Sequence, residues 1–277
     1  MSHIDIYGRT HELDPNVLDV IATRLEARRS SQRYMSMLYE YLDHLDFSNS
    51  QEILFLGCGT GVEVRELLTR PNFQGNITAL DISKTLVERG QSAFAEEGIG
   101  TEVRWLVGDA QDTKLPDQSF NIVFAHTLIS HVPNPETVVN EMARLLKPGG
   151  IAVIFDGDYA TLTYGTDDPA YGKDMDEKII RGLIANPRVM RSMPRMFRRA
   201  GLELQNSISW VLTEIGKADF FLPSLDSLSA LLPSAGVATI KEVEKFVEDQ
   251  RRANDEGTFF AGYNFYAMIA KKTNDDQ

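Results

Sequence analysis

The segment Ile53-Leu54-Phe55-Leu56-Gly57-Cys58-Gly59-Thr60-Gly61 constrains this chain most, together with the acidic residue Asp81 that closes a second apolar run. The first four residues are apolar without helical spacing, as in a strand buried on both faces. Three glycines follow at alternate positions, where positive φ and close approach of a ligand to the backbone are tolerated. Val62 to Leu68 reads as the helix that starts there. A glycine turn between a strand and a helix N-terminus makes a nucleotide site, because the first N–H groups of the helix have no partner. Asp81 stands 20 residues after Gly61, at the end of the apolar run 77–80. A carboxylate there accepts both hydroxyls of a ribose. The expected ligand is an adenine nucleoside beside a parallel sheet, whereas the bland reading of a lone glycine turn is a tight turn.

The dinucleotide fingerprint spaces its glycines G-x-G-x-x-G. Here the third glycine comes one residue early, which argues against a pyrophosphate-bearing ligand. The run resembles the first motif of class I S-adenosylmethionine (SAM)-dependent methyltransferases. Val107-Gly108-Asp109-Ala110 resembles the third motif, whose Asp accepts the adenine amino group. Phe120 to His126 resembles the fourth strand, and Leu145-Leu146-Lys147-Pro148-Gly149-Gly150 the turn before the fifth. The ordered match runs from about residue 50 to 156. It implies SAM as cofactor, held by Gly57, Cys58, Gly59, Gly61, Asp81, Ile82, Asp109, Ala110 and His126.

Two positions depart from the family pattern. Phe55 stands where an acid usually helps orient the methionine amino group. Glu52, three residues earlier, is a poor substitute because it points to the opposite face of the strand. Asn121 replaces the usual Asp of the fourth strand, which keeps the hydrogen-bonding shape and loses the charge.

The chain has 277 residues, 43% of them hydrophobic, enough for one large domain or a domain with a small lid. Its formal net charge of −12 opposes nucleic acid as a partner, since phosphate binding needs a basic footprint. One basic stretch, Arg188 to Arg199, reads as a solvated helix face or as a patch for an anionic substrate or acyl carrier. Cys58 is the single cysteine, so no disulfide forms within the chain, which fits a reducing compartment. No apolar run reaches the ~20 residues of a membrane span. The first residues lack the pattern of a signal peptide. The expectation is a soluble cytoplasmic protein, with a homo-oligomer left open.

Residues 1–12 read as an arm. Asp14-Pro15 starts a helix, with Asp as N-cap and Pro at the first position. A second helix is expected over 31–45. Strands and helices then alternate: 52–57, 62–69, 76–81, 84–97, 102–108, 119–125, 135–146 and 150–156. Such alternation implies a parallel sheet with right-handed crossovers. Helices follow near 169–185 and 190–200, then a strand at 202–213, helices over 217–253, a last strand over 258–271 and a frayed tail, 274–277. The expected fold is an α/β, Rossmann-like class I methyltransferase sheet, mostly parallel with its last strand antiparallel. Residues 1–48 form a helical cap, 49–216 with 257–273 the SAM-binding domain, and 217–256 a helical lid inserted before the last strand.

The site should lie beyond the carboxyl ends of the strands. His126, ending the fourth strand, is the candidate base, since an imidazole accepts a proton at neutral pH. Its alternative reading is a histidine that packs on or hydrogen-bonds the cofactor. His131, before Val132-Pro133, reads as loop support. Asp156, Asp158 and Tyr159 suggest a site rim, and without a histidine or third acid at ligand spacing no metal is expected. Among Arg28, Arg29 and Arg33, Arg33 is the preferred partner of the SAM carboxylate. Tyr7, Tyr34, Met37, Asp158, Tyr159 and Tyr263 are candidate contacts of a small-molecule acceptor. The sequence thus implies methyl transfer to a small, partly apolar acceptor in specialised metabolism, with oxygen, nitrogen and carbon all open as the methylated atom. The alternative is the same fold serving a non-methylating reaction such as a cyclisation, or acting as a SAM-binding module.

Overall fold

The computed structural model of the chain describes residues 5–47, 51–71 and 73–273. The tail 274–277, the first residues of the arm and the 48/49 domain boundary lie outside them. A 3-10 segment, Tyr7–Glu12, precedes helices α1 (Pro15–Ala27) and α2 (Gln32–Leu42). The alternating region then runs β1 (Gln51–Leu56), α3 (Val62–Leu68), β2 (Gly75–Asp81), α4 (Lys84–Glu97), β3 (Arg104–Val107), β4 (Phe120–His126), α5 (Pro135–Leu145) and β5 (Leu146–Tyr164). It continues with α6 (Pro169–Leu183), α7 (Met193–Arg199), β6 (Leu202–Gly216), α8 (Phe221–Ser234), α9 (Ile240–Glu256) and β7 (Phe259–Lys272). Asp14 caps α1, its carboxylate accepting the Asn16 N–H at 2.9 Å, with Pro15 at the first position.

The seven strands form one sheet in the order β3-β2-β1-β4-β5-β7-β6. β1 to β5 pair in parallel, and β7 is antiparallel to both β5 and β6. The order reverses between β1 and β4, which opens a crevice beyond their carboxyl ends. The expected turn at Lys147–Gly150 is instead taken up within β5. Leu146 pairs with Phe120 and Ile151 with Ile122, so the intervening residues bulge out of the ladder.

The central strands β1 and β4 bury both faces. Ile53, Phe55, Ile122 and Phe124 meet a core built with α1, α2, α3, α4, α6, α8 and α9, whereas Leu54, Leu56, Val123 and Ala125 meet α5 and α7. Phe55 pairs with Phe124 across β1 and β4, the rings stacked at 4.6 Å between centroids. The residue in the position of the usual acid is therefore core. The expected lid, 217–256, also belongs to the core: Phe220, Phe221, Leu225, Leu231 and Phe246 are fully buried in the same cluster as Phe55. Asn121 ties β1 to the β5 bulge, its side-chain oxygen accepting the Glu52 N–H at 3.0 Å and Lys147 Nζ at 2.9 Å.

Phe55→Asp places an unpaired carboxylate where the Phe124 ring now packs. The expected loss is about 3–5 kcal/mol of stability, read as a lower denaturation midpoint, with no gain in cofactor affinity. A variant as stable as the parent removes Phe55 from the core.

Candidate active site

The crevice is a cavity of about 390 Å³. Its floor is the glycine turn after β1, of which Gly57 and Gly59 line the cavity while Gly61 packs against Trp105 and Phe94; the three have φ of +65°, +53° and +82°. Glycine adopts these left-handed values at the least cost. A Cβ at Gly59 would also come within 2.9 Å of Leu25 from α1. Asp81 braces the turn: Oδ2 accepts the Gly59 N–H and Oδ1 the Ser83 N–H, each at 2.8 Å. Burial raises the Asp81 pKa, and these two N–H groups offset only part of that rise. Each oxygen retains a lone pair toward the cavity. Ile82, Asp109 and Ala110 line the same space, with Asp109 held by the Gln111 N–H at 2.8 Å.

His126 enters from the end of β4. Its Nδ1 is 2.8 Å from the Tyr41 hydroxyl, and its Nε2 is 2.7 Å from the Tyr34 hydroxyl and 3.1 Å from Glu63 Oε1. Burial, then the Arg28 charge, hold its pKa well below the usual value, so the ring is neutral. A neutral imidazole has one N–H and one lone pair. Nε2–H donated toward Glu63 and Tyr34, with Tyr41 donating to Nδ1, engages both ring nitrogens. The carboxyl of Glu63, in the first turn of α3, is raised to about 7 by burial, against the lowering charge of Arg28. Arg28 reaches over from the 3-10 turn after α1. Its Nη1 donates to Thr127 Oγ1 at 3.0 Å, while its Nε is buried without a partner.

The arm closes the cavity. Tyr7 to Glu12 line it, and a Cβ at Gly8 would collide with the His131 carbonyl. Asp5 fixes the arm, Oδ2 lying 3.0 Å from His131 Nδ1 and 2.7 Å from the Ala185 N–H. A smaller cavity of about 80 Å³ adjoins the first, with Tyr7, Arg28 and His131 on the walls of both and Tyr159 and Tyr263 among its other walls.

Several expectations are corrected. Arg33 is exposed and donates to the Thr213 carbonyl, away from the cavity, because its place on α2 faces β6. Tyr34 and Met37 are core residues of α2 and line neither cavity. Asp158 is buried against Arg191 Nε at 2.7 Å rather than at a rim. Asp156 is fully buried and accepts from the Ser130 N–H and hydroxyl. In the basic stretch, Arg191 and Arg199 are engaged by Asp158 and Glu136. Among the described residues no cluster of three metal-type ligands occurs, and no helix is long and apolar enough to cross a membrane. Glu63 and Arg24 escaped the sequence reading. The usable signal was the apolar spacing of α1, on which an arginine at position 24 falls on the buried side near Ile21 and Leu25.

Residues 54–154 match the family described as a methyltransferase domain. Methyltransferase GfsG of Streptomyces halstedii is 27% identical over 236 residues, covering 83% of this chain and 77% of that protein. A sterol 24-C-methyltransferase of Gibberella zeae is 29% identical over 201 residues, covering 72% of this chain. The chain spans only 51% of that relative. Among solved structures, the cyclase SpnF superposes with a TM-score of 0.56 at 17% identity, over 87% of this chain and 82% of that one, a likeness of fold. The ordered motifs and the sheet, with the methyltransferase-domain match over residues 54–154 and the likeness to GfsG, support the class I SAM-dependent methyltransferase family.

Two outcomes follow from the geometry. Asp81→Ala should weaken SAM binding by about 1.5–3 kcal/mol, because it leaves buried N–H groups and the ribose hydroxyls without an acceptor. Calorimetric titration checks this, and unchanged affinity removes Asp81 from the cofactor site. The second concerns the arm. Burial lowers the His131 pKa, but the charge and hydrogen bond of Asp5 outweigh it and the net shift is upward. The pair therefore holds the arm fully below about pH 6.5 and loses that contribution as pH rises through the raised value. Amide-exchange protection of residues 5–12 should fall between pH 6 and pH 9, and Asp5→Asn should flatten the difference.

Proposed function

We propose that the protein is a SAM-dependent methyltransferase of a small, partly apolar acceptor, acting in specialised metabolism. The observation that carries this reading is a pair of adjacent cavities sharing Tyr7, Arg28 and His131, one glycine-floored and acid-lined, the other smaller and walled by tyrosines. A sterol methyltransferase among its relatives supports a small acceptor. The acidic charge speaks against nucleic acid, and the single cysteine suits the cytoplasm.

The residues present fit the cofactor. The ribose is assigned to Asp81, the adenine to Ile82, Asp109 and Ala110, and the methionine carboxylate to Arg28, whose buried Nε has no partner. Glu63 is assigned the ammonium in place of the acid that Phe55 displaced. SAM supplies an electrophilic methyl on a sulfonium. The chain supplies placement and exclusion of water, which account for much of the acceleration of an in-line displacement. Tyr7 and the arm seal the cavity, and the 217–256 helices wall the acceptor side. His126 acts as a positioning residue: Tyr41 occupies its lone pair, so it holds Glu63 and Tyr34 in place rather than taking a proton.

The primary test is formation of S-adenosylhomocysteine with candidate acceptors. SAM binding with product formed but no S-adenosylhomocysteine released would favour the cyclisation reading, and absence of SAM binding overturns both.

A titration separates the roles of Glu63 and His126. The groups facing Glu63 are Arg28, His126, Tyr34 and Tyr41, with Glu26 and Glu66 nearby. With its pKa near 7, Glu63 is partly protonated at pH 7 and must ionise to meet an ammonium. SAM binding at pH 7 should release about half a proton, measured by calorimetry in buffers of contrasting ionisation heat, and Glu63→Gln should abolish the release. His126→Gln should lower SAM affinity while leaving the shape of the pH–rate profile unchanged. A kcat loss of ~10² or more at unchanged affinity would instead make His126 the base.

A further inference from the structure

The smaller cavity has no negative charge on its walls. Among the described residues that line it, Arg24, Arg28 and His131 are basic or partly basic, and no Asp or Glu is present. Arg24, on α1, is 8% exposed, its Nη1 is buried without a hydrogen-bond partner, and it has no ion pair. Its guanidinium lies over the Phe220 ring at 4.7 Å. Around it stand the partly buried Tyr7 and the buried Tyr164 and Tyr263, and the charge that acts on it most is that of another cation, Arg28. An arginine keeps its proton in such a place. A buried cation with no counter-charge is costly, and such groups are normally paired.

We propose that this cavity receives a carboxylate of the acceptor, bound by Arg24. The planar fork of a guanidinium matches a carboxylate in two parallel hydrogen bonds. The space of about 80 Å³ admits two to three water-sized groups, enough for a carboxylate and the carbon that bears it. The rings of Tyr159 and Tyr263, stacked at 5.2 Å, offer a flat apolar wall beside it. Arg24 lines only the smaller cavity, whereas Arg28 lines both. The division of labour is therefore Arg28 for the cofactor and Arg24 for the acceptor. The acceptor class is a small organic acid with an apolar, preferably aromatic, body. This inference rests on the methyltransferase reading only for the contents of the larger cavity.

The test uses the full chain saturated with S-adenosylhomocysteine. Benzoate and 3-phenylpropanoate are titrated against benzamide and 3-phenylpropanamide by calorimetry. The expected result is that at least one acid binds ten-fold or more tightly than its amide, and that Arg24→Met brings the acid down to the amide. S-adenosylhomocysteine affinity should stay within two-fold in that variant. Equal binding of acid and amide, or no binding of either acid, overturns the proposal, as does a parallel loss of S-adenosylhomocysteine affinity in Arg24→Met, which would assign the guanidinium to the cofactor. Failure of the parent chain to bind S-adenosylhomocysteine at all defeats the methyltransferase reading instead. Thermal unfolding without ligand gives an independent check. Removing an uncompensated buried charge should raise Tm, and a variant that melts lower or fails to fold shows that the charge is already balanced, contrary to the proposal.

Discussion

The carboxylate of Asp81 holds the cofactor side of the structure together. It lies buried at the end of β2 and accepts one N–H from Gly59 and one from Ser83. The first bond fixes a glycine turn whose positive φ values have little intrinsic stability of their own. The second fixes the start of α4, where Ser83 caps the helix by accepting from the Leu86 N–H. The side chain proposed to read a ribose is thus also the brace that shapes the surface under it.

Around that brace the site is assembled from distant parts of the chain. β4 brings His126, α2 brings two tyrosine hydroxyls to it, and α3 brings Glu63. The arm then crosses the opening and is pinned to the β4–α5 loop by Asp5 and His131. Among the polar atoms of the residues lining the two cavities, Arg28 Nε, Arg24 Nη1 and Thr60 Oγ1 are left over, buried without a partner. In a low-dielectric interior such leftovers are informative, because an unpartnered buried polar group costs stability that a ligand can restore.

The alternation of strands and helices, the glycine turn and Asp81 were legible because each rests on local chemistry: backbone conformation at glycine, capping, and apolar runs of strand length. The role of Phe55 needed the partner strand. Its register with Phe124 turns a departure from the family pattern into a stacked core pair. The choice of arginine shows the same limit. Arg33 and Arg28 lie on adjacent turns of chain, and only the packing of α2 against β6 turns one outward while the other reaches Thr127. Met37 and Tyr34 had the right residue types for a pocket but point into the core.

The sequence by itself determined the class of fold, the floor of the cofactor cavity and the acid at its edge. These depend on residues close in sequence, where spacing dictates geometry. The tertiary structure decided which groups from the flanking helices lie at the cavities: Arg28 rather than Arg33 and Glu63 at the larger one, and Arg24 at the acid-free smaller one. Those assignments depend on how helices remote in sequence pack over the sheet, and packing is set by the sum of many contacts that no local pattern records.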